Sequence, residues 1–135
     1  MQCMEIKDIA VARLMSSDLV TVTPETPVEE AGEILLERGI GSLVVVDSDD
    51  RLAGILTSTD FVELVTGGAS TAEATVADHM STDVVTVGVD DSIRDAAAKM
   101  VSTDIQHLPV EDDDGGIAGM LSTTDLTAHL AYLEA

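Results

Sequence analysis

The strongest constraint on this chain is that it repeats itself at a spacing of 65 residues. MSSDLVTV at Met15 to Val22 falls on MSTDVVTV at Met80 to Val87, and GILTSTD at Gly54 to Asp60 falls on GMLSTTD at Gly119 to Asp125. Between these stretches Ala31 meets Ala96, Ile40 meets Ile105, Leu43 meets Leu108, Val45 meets Val110 and Asp47 meets Asp112, all without a gap. Over Ala10 to Val65 against Thr75 to Leu130, 19 of 56 positions are identical, too many to arise by chance with no insertion. The chain therefore reads as two copies of one supersecondary unit. The expected boundaries are 1–66 for the first repeat, 67–75 for a small polar linker (GGASTAEAT) and 76–135 for the second repeat. Two such halves imply a pseudo-two-fold object.

Period and punctuation give each half the same order of elements. Val11 to Met15 and Val76 to Met80 read as short helical turns, and the Val/Thr-rich Leu19 to Thr23 and Val84 to Val87 as short strands. A helix follows. In the first half Thr26 precedes Pro27 at the expected first helical position, Glu29 and Glu30 fill the first turn, and Val28, Ala31, Ile34 and Leu35 form an apolar face. In the second half Asp91 and Ser92 offer the cap, and Ile93, Ala96, Ala97 and Met100 form the face. Strands are expected at Ser42 to Asp47 and His107 to Asp112, then acidic turns, then strands at Leu52 to Leu56 and Ile117 to Leu121. Ser58 or Thr59 with Asp60, and Thr123 or Thr124 with Asp125, open a closing helix. The fold class is α/β (α+β), built from two β-α-β-β-α repeats.

Charge narrows the partners. The chain carries 26 acidic side chains against 6 basic ones, a formal net charge of -20. Nucleic-acid binding by counterion release and polybasic anchoring to a membrane surface both need Lys/Arg patches that this composition does not supply. Disorder is not implied, because 45% of the residues are hydrophobic and the mean hydropathy is +0.26. Carboxylates divide evenly, 13 to each half, so the acid belongs to the whole body. Such a surface repels itself until salt shortens the Debye length to roughly 3 Å at 1 M. A salt-adapted protein of a halophilic cytoplasm is the expectation. No apolar run approaches the roughly 20 residues that span a bilayer, and the start, MQCMEIKDIA, lacks the pattern of a signal peptide. The lone Cys3 rules out an intrachain disulfide and a cysteine zinc site.

No conventional active site assembles from the residues. His79, His107 and His129 show no metal-ligand spacing, and neither HExxH nor GxSxG occurs. The run Asp112 to Asp114 with Gly115 and Gly116 lacks the closing Glu of a calcium loop, so an acidic hairpin turn fits it better. The informative pair is GILTSTD and GMLSTTD. A glycine there admits close approach of a ligand or a neighbouring backbone. Thr57 and Ser122, at the mouth of a helix N-terminus, can donate a hydroxyl to phosphate. Asp60 and Asp125 can accept both hydroxyls of a ribose. On residue chemistry alone helix capping is the better account of the same residues, since Thr/Ser and Asp are ordinary caps, and duplication of the whole segment narrows the margin.

On these motifs the repeat resembles a tandem pair of cystathionine-β-synthase (CBS) domains. The likeness rests on M-S/T-x-D-x-V-T-V, on the strands from Ile40 to Asp47 and from Ile105 to Asp112, the second containing HLPV, and on G-x-x-T/S-x-x-D, in order and in duplicate. It implies repeats packed through their sheets into one module, two related clefts between them, and pairing of modules into a homodimer. It further implies a stand-alone sensor, not an enzyme, that binds AMP, ADP, ATP, S-adenosylmethionine or NAD and modulates an unidentified partner protein. By that resemblance Asp60 and Asp125 contact ribose, and Thr57 and Ser122 contact phosphate. The backbones of Thr21, Val22, Thr86 and Val87 read the adenine edge, Ile40, Leu43, Ile105, Leu108 and Pro109 pack on its faces, and His107 approaches phosphate. Val44 stands where the second half has Pro109, and Gly41 against Gln106, so the second cleft is the better defined. No cofactor is obligatory. On a body of this charge AMP or S-adenosylmethionine is expected before ATP without Mg²⁺. A ligand-free dimerisation module is the alternative, and a small hydrolase using Asp60 or Asp125 is the third reading.

Overall fold

In the computed structural model, residues 9–68 and 72–131 are described; Cys3 lies outside them. The described chain forms two compact units, one comprising Val20–Val84 and the other the residues up to Leu19 with those from Val85 onward. Each unit carries a three-stranded mixed sheet.

In the first unit β1 (Thr21–Val22) runs parallel to β2 (Ser42–Val46), which pairs antiparallel with β3 (Leu52–Thr57). Helix α1 (Val28–Arg38) makes the crossover, and α2 (Ser58–Thr66) and the short α3 (Val76–His79) follow. The second unit repeats this order with β4 (Val87–Gly88), α4 (Ile93–Thr103), β5 (His107–Glu111), β6 (Ile117–Ser122) and α5 (Thr123–Ala131), and a 3-10 turn at Val11–Arg13 is its counterpart to α3. The expected mixed α+β repeat is observed in both halves.

The helices form where the apolar period directs them. Val28, Ala31 and Leu35 of α1 are buried against Leu43, Val45 and Leu56, and Ile93, Ala96 and Met100 of α4 against Leu108, Val110 and Leu121. Pro27 sits one residue outside the expected position: it is the N-cap of α1, with extended ψ, and the helix starts at Val28. Ser92 caps α4 by accepting from the Asp95 amide at 3.1 Å. Both helices end in a left-handed residue, Gly39 (φ 63°) in one and Asp104 (φ 56°) in the other. That conformation releases the C-terminal carbonyls to the following turn.

The units are not the two sequence repeats. The turn that opens the first repeat is built into the second sheet's unit, where Val11 is fully buried beside Leu108 and Val110. The Val11 amide donates to Asp91 O at 2.7 Å, and the Ile93 amide to Ile9 O at 2.9 Å. Reciprocally, Val76 is fully buried beside Leu43 and Val45, and its amide donates to Thr26 O at 2.8 Å. The M-S motifs follow the same exchange. Ser81 forms an antiparallel bridge to Ile55 with two bonds of 2.9 Å, and Ser16 bridges Met120 with bonds of 2.8 and 3.0 Å.

Candidate functional site

The corner where the last strand of each sheet turns into a helix holds the predicted polar residues. At the end of β3 the Thr57 amide donates to Asp60 Oδ2 at 2.8 Å and the Thr57 hydroxyl donates to the same oxygen at 3.1 Å. The Asp60 amide returns a bond to Thr57 Oγ1 at 3.3 Å. This reciprocal arrangement satisfies donors that a helix start leaves free. The helix opens at Ser58, as expected, and Thr57 is its cap, because the hydroxyl at the strand end is the one that reaches the third helical amide. In the second unit the Ser122 amide donates to Asp125 Oδ2 at 2.8 Å and the Asp125 amide donates to Ser122 Oγ at 3.1 Å. Both corners are braced from the adjacent strand. The Ser58 amide donates to Gly41 O at 2.9 Å, and the Thr123 amide to Gln106 O at 3.0 Å.

Asp60 and Asp125 each spend one carboxylate oxygen, Oδ2, on this box. Oδ1 of each makes no hydrogen bond among the described residues, so one acceptor atom per corner remains for a ligand. The box alone is not diagnostic. Thr75 and Asp78 at the start of α3 form the same pattern, with bonds of 2.9 and 3.3 Å. What separates Thr57–Asp60 and Ser122–Asp125 is their position at the end of a sheet strand, beside the aliphatic residues that lead into the central strand.

Those aliphatics divide by face. Ile40 is 37% exposed, and Ile105 is half-buried at the margin of its core. Leu43 and Leu108 are fully buried within their units' cores. They therefore support the corner from beneath. Pro109 is fully buried, opposite Met120 in the sheet register. His107 pairs in register with Ser122 and is half-buried. Burial pushes its imidazole below the ordinary value of 6.5, and the Asp125 carboxylate partly opposes that shift.

Among the first-strand residues, Val22 and Val87 are buried, with Val22 opposite Val45 and Val87 opposite Val110. Thr21 is exposed and Thr86 half-buried. The difference has a cause that sequence reasoning missed. Lys99 Nζ donates to the Thr86 carbonyl at 2.8 Å, and Thr86 Oγ1 donates to Glu111 Oε1 at 2.9 Å. Lys99 stands out in the sequence only as one of two lysines, and nothing in its spacing links it to Thr86.

Two small α+β units, each ending in the same capped strand-to-helix corner, define a tandem-repeat module with a duplicated polar site. The chain belongs to the CBS domain family, whose model matches residues 6–67 and 76–132. Among curated proteins it is similar to protein MK0525 of Methanopyrus kandleri, at 32% identity over 131 residues that cover 96% of this chain and 67% of the relative. It is also similar to homoserine O-acetyltransferase of Methanohalobium evestigatum, at 33% identity over 117 residues, which cover 87% of this chain and 23% of that enzyme. The chain thus spans about a quarter of the length of that enzyme. Among solved structures it is similar to the CBS domain pair of protein MJ0100 in complex with 5′-methylthioadenosine and S-adenosyl-L-methionine. That likeness has a TM-score of 0.83 and 26% identity, and covers 90% of this chain and 95% of that one. It is similar as well to CBSX2 in complex with AMP, with a TM-score of 0.79, 28% identity and coverage of 91% and 96%. Two solved relatives of this fold are thus in complex with adenosyl ligands.

Proposed function

We propose that this chain is a regulatory module that binds an adenosine-containing ligand at its strand-to-helix corners and passes occupancy to a partner protein, without turning the ligand over. The observation that carries this reading is the duplicated corner, in which Asp60 and Asp125 each keep one carboxylate oxygen unbonded, among the described residues, beside a capping hydroxyl and a helix N-terminus. A ribose diol needs a fixed acceptor of that kind, and a phosphate needs the neighbouring N–H and hydroxyl donors. Ile40 and Ile105 offer the aliphatic surface on which a purine packs, and the backbones of Thr21, Val22, Thr86 and Val87 the edge that reads it. The adenosyl complexes of MJ0100 and CBSX2 support the ligand class. AMP, S-adenosylmethionine and 5′-methylthioadenosine come before ATP, whose charge on a body at -20 calls for Mg²⁺.

A homodimer is part of this reading, supported by exposed apolar side chains on the helices, among them Leu36 at 85% and Val101 at 83%. So is a salt-rich cytoplasm, supported by the evenly spread carboxylates. Titration calorimetry in molar salt with AMP, ATP, NAD and S-adenosylmethionine, repeated on Asp60→Ala and Asp125→Ala, tests the proposal. Saturable heat that each variant halves is the expected result. Silence from all four ligands, with the fold intact, overturns it in favour of a ligand-free interaction module, the reading that the purely structural Thr75–Asp78 box favours.

A further inference from the structure

We infer that the two corners are unequal because Lys99 holds the carbonyl that would read the base in the second repeat, so that ligand enters the first-repeat corner before the second. The inference rests on the adenosyl-binding reading above. Three observations carry it. The Lys99 ammonium donates to Thr86 O at 2.8 Å. The Thr86 hydroxyl is held by Glu111 Oε1 at 2.9 Å. Thr86 is half-buried whereas its repeat counterpart Thr21 is exposed.

The duplication supplies the control. At the 65-residue spacing Lys99 corresponds to Ile34 and Glu111 to Val46. Ile34 packs against the first unit's core and Val46 is 8% exposed, and neither carries a polar group. At these two positions the first repeat therefore offers no polar side chain to hold Thr21.

An adenine exocyclic amine is a neutral donor. It competes poorly with an ammonium for one carbonyl, since hydrogen bonds from charged donors are about twice as strong. Ligand entering the second corner must compete with Lys99, whose side chain is exposed, for this carbonyl. The lysine thus works as an internal occupant that sets the order of filling, and through it the ligand concentration at which the second repeat responds.

The test uses adenosine, which is uncharged, so that loss of the Lys99 cation does not by itself change long-range attraction. Adenosine is titrated into the full chain, and Asp60→Ala and Asp125→Ala assign the two binding events. In the wild type the event removed by Asp60→Ala is expected to be the tighter. Lys99→Ile, which installs the first repeat's own residue, and Lys99→Met, which keeps the aliphatic stem, should each tighten only the event removed by Asp125→Ala, by about three- to tenfold. Two events of equal affinity that neither Lys99 variant shifts, or a second event that weakens, overturn the inference and leave the adenosyl reading standing. Absence of any binding event in the wild type and both Lys99 variants overturns both together.

Discussion

A Cβ placed on Gly54 would lie 2.7 Å from the carbonyl oxygen of Ser81. The glycine in the G-x-x-T/S-x-x-D motif is thus required by a backbone neighbour, the M-S segment that bridges Ile55. Gly119 repeats the relationship more tightly, with Ser16 O at 2.5 Å from the same added atom. Gly54→Ala and Gly119→Ala should therefore cost about 2 kcal/mol or more, with Gly119→Ala the worse. Chemical denaturation of each variant measures the loss, and two alanines that leave the midpoint unchanged would show that the M-S segments are not held against β3 and β6.

Asp60→Ala and Asp125→Ala each remove a capping box, at a cost of about 1 kcal/mol. Thermal melts should register that loss in both variants. The control is Asp78→Ala, which breaks a box of the same geometry at α3. It should lower stability similarly and leave adenosyl binding unchanged, so a binding defect in Asp78→Ala equal to that in Asp60→Ala would remove the distinction drawn between the two kinds of cap.

Asp104 occupies the left-handed C-cap that Gly39 fills in the first repeat. A carboxylate at a helix C-terminus also faces the negative end of the helix dipole. Asp104→Gly relieves both costs and should stabilise the protein by about 0.5–1 kcal/mol. A melting temperature that falls would count against this account of the cap.

His107 holds its proton less tightly in the folded protein than in the unfolded chain, because burial penalises the imidazolium. Folding stability linked to it is fully present above the unfolded value near 6.5, declines as pH falls through 6.5, and stops declining below the depressed folded value. His107→Gln should flatten the stability profile over roughly pH 7.5 to 5.5, where carboxylates do not yet titrate strongly. A profile of unchanged slope in the variant would assign the pH dependence elsewhere.

The carboxylates, 13 in each half of the chain, repel one another across a surface that salt can screen. Melting temperature should climb from roughly 0.1 M to 2 M KCl, steeply at first as the Debye length shrinks from about 10 Å toward 2–3 Å. A flat or falling curve would sink the salt-adapted reading.

The sequence by itself determined the duplication, the α+β repeat, the buried faces of α1 and α4 and the pairing of hydroxyl with Asp at each helix start. All of these depend on local period or local hydrogen bonds, which short stretches of sequence encode directly. Tertiary structure alone decided that Val11 packs beside Val110 and Val76 beside Val45, that Gly54 yields to Ser81, and that Lys99 rests on Thr86. Each of these joins segments far apart in the chain, or residues on different elements, and no periodicity marks such a meeting. The small misplacement of Pro27, outside α1 rather than in its first turn, shares that origin. No side chain caps α1; its first amide, that of Val28, donates to Ala74 O at 3.0 Å, a partner 46 residues away that no local pattern can announce.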